Sequence, residues 1–120
     1  RAYDATHGYE LWKSDGTASG TVMVKDINSG SSNGYPESLT AVGNTLYFWA
    51  SDATHGYELW KSDGTAAGTV MVKDIVSGSS STAFYQFTAV GNTLYFSVIN
   101  DTGGWDMWIT DGTTSGTVKV

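Results

Sequence analysis

The chain has no cysteine and a single proline, Pro36. Without cysteine there are no disulfides and no thiolate metal sites, and the redox compartment is left open. Pro36 falls between strands, where its missing backbone donor costs nothing. Cations are scarce: six Lys and Arg face twelve Asp and Glu, a net charge of −6. That balance gives no basic footprint for nucleic acid and no polybasic patch for anionic lipid. An acidic surface favours solubility and, more weakly, cation binding. Long helix-forming runs are missing. No apolar run approaches the length of a membrane span, so membrane insertion is not expected. A Gly-x-x-x-x-Gly-Lys-Thr phosphate cradle is also missing; the linker glycines, Gly30 and Gly34 in one and Gly78 in the other, stand in Ser-rich stretches. No secretory leader is visible, but Arg1 is not a natural start and this absence carries no weight.

Aromatics are plentiful, with five Trp, seven Tyr and four Phe, and Gly, Ser and Thr are abundant. This composition favours short strands and tight turns. One stretch organises the rest. Tyr57-Glu58-Leu59-Trp60-Lys61-Ser62-Asp63-Gly64-Thr65 has an unchanged copy at Tyr9 to Thr17 and a drifted one at Trp105 to Thr113, each 48 residues from the next. A fixed period of this size points to a solenoid, a propeller or an array. Residues 4–18 recur unchanged as 52–66, and 40–48 recur as 88–96. Divergence concentrates in Asn33 to Leu39 against Ser81 to Phe87, and in Trp49 to Ser51 against Ser97 to Ile99.

One unit reads as four strands: Ser38 to Val42, Thr45 to Ala50, Tyr57 to Ser62 and Thr69 to Ile75. Gly43-Asn44 marks a tight turn between the first two. The last three are apolar or aromatic on both faces, whereas a sheet with one wet face alternates more cleanly. Two covered faces suit a small sheet stacked between two similar ones. Four short antiparallel strands at this period describe a β-propeller blade. The expected fold is therefore all-β, a propeller with about two and a half blades in this chain. Residues 1–37 would be the outer half of a blade plus linker, 38–85 a complete blade plus linker, and 86–120 a nearly complete blade. Propellers close with four to eight blades, so the expectation is a fragment of one larger propeller. A complete 12.8 kDa polypeptide would instead demand an oligomeric ring.

With these residues in view, the chain resembles the ELWxxDGT repeat family, through Glu58-Leu59-Trp60-x-x-Asp63-Gly64-Thr65 and its match at Glu10 to Thr17. The third copy departs, with Asp106 and Met107 for Glu and Leu, while Trp108, Asp111, Gly112 and Thr113 hold. Thr40 to Phe48 also resembles the opening hairpin of a kelch blade, without the double glycine that usually follows. The family resemblance covers essentially the whole chain. It implies a large, mostly bacterial, secreted or cell-surface repeat protein and implies no reaction.

Few residues suggest chemistry. Asp4 with Glu10, Asp52 with Glu58, and Asn100 with Asp106 flank the loop between the second and third strands. Oxygen ligands there could hold calcium, although no dense acidic spacing like that of an EF-hand is present. The competing reading has the aspartate capping its own turn and the glutamate meeting a lysine or a loop amide. Asp63-Gly64-Thr65 reads as a hairpin-fixing loop. His7 and His55 have no Ser/His/Asp or His/His constellation to join. Trp12, Trp60 and Trp108 recur at one position and are expected between blades. Tyr35, Trp49, Phe84, Tyr85 and Trp105 do not repeat, and they are the candidates for stacking on a sugar or gripping a protein loop. The competing reading is that they plug gaps between blades.

The expected role is a non-catalytic extracellular module for adhesion or surface scaffolding, with no cofactor unless calcium binds. Its partners would be further blades of the same protein, a homo-oligomer, a glycan or a cell-surface protein. The alternative is a lectin-like propeller with one shallow site per blade. An enzyme is not expected, because non-repeating polar residues are few.

Overall fold

The structure, a computed structural model, describes residues 1–78 and 83–120. Part of the linker that closes the expected 38–85 unit, and the start of the variable segment at Ser81, therefore lie outside the described residues. The chain is all-β, with three antiparallel sheets. The first contains β1 (Ala2–Asp4), β2 (Gly8–Lys13) and β3 (Val22–Lys25). The second runs β4 (Glu37–Val42), β5 (Thr45–Asp52), β6 (Gly56–Ser62) and β7 (Val70–Lys73). The third runs β8 (Phe84–Val90), β9 (Thr93–Ile99), β10 (Trp105–Thr110) and β11 (Val118–Lys119). Strand order follows chain order in every sheet.

The turns explain the hairpins. Val42 pairs with Thr45 across Gly43-Asn44. Gly43 takes φ +59°, and its counterpart Gly91 takes +60°, as a two-residue hairpin with glycine first requires. The Asp-Gly-Thr loop is built the same way three times. Asp63 accepts from the Thr65 amide at 2.9 Å and its hydroxyl at 2.7 Å. The Thr65 hydroxyl oxygen in turn accepts from the Gly68 amide at 2.9 Å. A Cβ on Gly68 would stand 2.0 Å from the Asp63 carboxylate, so the loop closes only around glycine. The aspartate therefore reaches the next threonine, and that threonine carries the bond onward to Gly68.

The fourth strand is shorter than the expected Thr69 to Ile75. The amides of Ile75 and Val76 leave the ladder and donate to the Glu58 carboxylate at 2.7 and 3.2 Å. The edge strands β4 and β8 carry a matching irregularity, with register shifts between Glu37 and Thr40 and between Tyr85 and Thr88. Ser38 and Gln86, equivalent residues, stand there at φ +55° and +57°. Side chains other than glycine are rare in that region, and a bulge of this kind re-aims them.

The middle sheet is covered on both faces. Phe48, Ala50 and Trp60 face the first sheet and pack with Leu11, Val24 and Ile27. Tyr47, Leu59 and Val72 face the third and pack with Phe84, Leu94, Phe96 and Val98. Neighbours on one strand, Leu59 and Trp60, thus feed different cores, as the two-residue period of a strand dictates. The lack of alternation along β5 and β6 follows from this.

Candidate functional site

The repeated segment turns out to bind sheet to sheet. Lys13 donates to the Gly64 carbonyl of the second sheet at 2.8 Å, and Lys61 to the Gly112 carbonyl of the third at 2.7 Å. Lys25 donates to the Thr69 carbonyl at 2.9 Å, and Lys73 to that of Thr117 at 2.8 Å. Lys73 also sits 5.7 Å over the Trp108 ring. Each of the first two sheets therefore extends two lysines onto the loop carbonyls of the sheet that follows. The remaining cations are paired too, Arg1 with Glu37 and Lys119 with Asp106. From the sequence, a lysine is expected only as a partner for the glutamate; the recurrence of these lysines on equivalent strand positions was the signal for more.

The acidic candidates are spent on the backbone. The fully buried Glu10 accepts from the amides of Ile27, Gly34 and Asn28 at 2.8, 2.8 and 3.3 Å. Burial raises its pKa against those bonds. Glu58, equally buried, is pushed up to about 7 by burial, with Asp74 adding repulsion. Asp4 caps its loop by accepting from the amides of Thr6 and His7 at 2.8 and 2.7 Å. Asp52 does the same for Thr54 and His55 at 2.8 and 2.6 Å. Among the described residues, no three His, Asp or Glu come together as metal ligands.

His7 and His55 have partners that sequence reading missed. Their Nδ1 atoms lie 2.9 and 2.8 Å from Asp4 and Asp52, and the repeated Asp-x-x-His spacing was the available sign. The aspartate bond raises both histidines. The His7 bond holds Asp4 low. Burial works to raise Asp52, but the bonds from His55 and Thr54 outweigh it. The third copy replaces the pair with Asn100, whose side-chain oxygen accepts from the Thr102 and Gly104 amides at 3.1 and 2.9 Å.

The five aromatic candidates separate into two groups. Tyr35 is half-buried and stacks on Tyr9 at 5.5 Å with Arg1 above it. Trp49 leans on Tyr57 at 5.0 Å and donates its Nε1–H to the Ser38 hydroxyl at 3.0 Å. Phe84 is buried between Trp49 and Phe96 and offers no surface to a ligand. These three fill the joints between sheets. Tyr85 and Trp105 are 53% and 52% exposed and meet edge to face at 4.8 Å. With Gln86 and Ser97 they line a groove of about 360 Å³ on the third sheet. A second cleft of about 300 Å³ lies between the first two sheets, beside Leu11, Lys13 and Leu46, where the first sheet has no counterpart of β4.

Trp60 and Trp108 pack between sheets, whereas Trp12 lies on the face of the first sheet away from the second. Among the described residues, the buried Nε1 groups of Trp12 and Trp60 have no hydrogen-bond partner. No family model, curated protein or solved structure matches the chain.

Proposed function

We propose that the chain is a non-catalytic extracellular repeat module whose sheets are propeller blades, used for adhesion or surface scaffolding. The observation that carries this reading is an uncovered copy of a covered face. Val42 and Leu59 of the second sheet are 7% and 0% exposed under the third. Their counterparts Val90 and Met107 are 58% and 55% exposed. An apolar sheet face with a buried twin asks for the same kind of cover. The convergence of β4 with β8, the first strands of consecutive sheets, also suits adjacent blades. Further blades or a second copy of the chain would continue the stack.

Sedimentation velocity across a range of concentrations tests this. Reversible self-association is expected, and Met107→Asp should abolish it. A chain that stays monomeric at about 100 μM, where contacts with micromolar Kd are populated, would remove the oligomer. Antibody labelling confined to permeabilised cells would remove the extracellular placement. A second reading, a carbohydrate-binding propeller, is favoured by one observation, the open Tyr85–Trp105 pair with polar neighbours.

A further inference from the structure

The groove on the third sheet has a filled equivalent on the second. Register pairs Tyr85 with Ser97 and Ser97 with Met107. The same row on the second sheet is Glu37, Trp49 and Leu59. Ser97 thus stands where Trp49 stands, Trp105 where Tyr57 stands, and Gln86 where Ser38 stands. All four residues lining the groove are positions at which the third copy departs from the second. In the second sheet an indole occupies this space, lies against the Tyr57 ring and donates to Ser38. In the third the indole is gone, the ring beneath is the larger Trp105, and the donor's partner is an amide that can both give and accept.

We propose that this groove binds one neutral hexopyranose ring of a glycan in the place of the missing indole. The inference rests on the carbohydrate-binding reading, in which the outer face of the third sheet that Ser97 shares with Met107 stays uncovered, and narrows it to one site, in the third copy alone. A pyranose chair can set its apolar C–H side against the half-exposed Trp105 ring, as aromatics do with amphipathic ligands. Gln86, held by its bulge at φ +57°, and Ser97 supply donors and acceptors for ring hydroxyls. The lining carries no charged residue, which selects a neutral sugar over a uronate, a sialic acid or a phosphate. The first two sheets offer no such site, because Tyr35, Trp49 and Phe84 already occupy the equivalent joints.

The test is an NMR titration of dilute monomeric protein with methyl glycosides of glucose, galactose, mannose and N-acetylglucosamine. At least one should shift the Trp105 indole and Gln86 amide signals with a Kd of roughly 1–10 mM, the range of a single shallow contact. Ser97→Trp restores the second copy's own residue, so the sheet should fold, and it should weaken binding at least tenfold. Trp105→Ala should do the same. A glycoside that binds both variants as well as the original chain would overturn this site and leave the carbohydrate reading standing. No binding by any glycoside, or on a glycan array, would overturn both. N-acetyl-tryptophanamide binding more tightly than every sugar would overturn the saccharide class and make the groove a socket for a protein side chain.

Discussion

Glu58 is the residue whose setting is most demanding. Its carboxylate is fully buried, receives two backbone amides and faces Asp74. Its pKa of about 7 stands above the ordinary 4.5, so the fold favours the protonated form. Its contribution is complete below pH 4.5 and is lost as pH rises through 7. His7 and His55, raised above 6.5 by their aspartates, lose their contribution in the same direction. Asp4, Asp15, Asp52, Asp63 and Asp111 are lowered from 3.8. They act oppositely, their contribution being lost as pH falls below that value. Stability should therefore fall as pH rises from about 4.5 through 7, with Glu58 the largest contributor. Urea midpoints measured across pH check this. Glu58→Gln should flatten the decline between pH 4.5 and 7; an unchanged slope would assign the effect elsewhere.

At the scale of elements, the lysine contacts decide how one sheet meets the next. Lys61 leaves β6 to reach the loop before β11, and the Tyr47 hydroxyl lies so close to Gly112 that a Cβ there would come within 2.4 Å. Lys61→Met keeps the stem and removes the charge-assisted bond, so a loss of about 1–2 kcal/mol is expected by urea denaturation. No loss would make the contact incidental. The third copy has Ile109 at this position and cannot make the same bond to a following sheet. Strands, turns and two-sided burial were legible in the sequence, because alternation and Gly-Asn or Asp-Gly-Thr chemistry act locally. The lysine acceptors were not, because they are backbone carbonyls 44 and 51 residues away, and a carbonyl has no sequence signature. The groove was half legible. Tyr85 and Trp105 stood out as non-repeating aromatics, whereas the role of Ser97 is defined by what it lacks, and only the register with Trp49 reveals that.

At the scale of the molecule, three thin sheets share two cores, one on each face of the middle sheet. A sheet of three or four short strands has little stability alone, so the junctions should tie all three into one cooperative body. The repeated Tyr-Glu-Leu-Trp-Lys-Ser-Asp-Gly-Thr segment is the junction: in the middle copy its leucine and tryptophan face opposite cores, its glutamate holds the chain beyond the fourth strand, and its lysine reaches the next loop. The proposed ligand chemistry falls instead on the positions that drifted. Urea unfolding of Leu11→Ala and Leu59→Ala, one buried leucine at each junction, tests that division most directly. Both variants should unfold in one transition, each destabilised by about 2–5 kcal/mol. Two separate transitions, with each substitution moving only its own, would show that the sheets are independent and that the repeated segment does not join them.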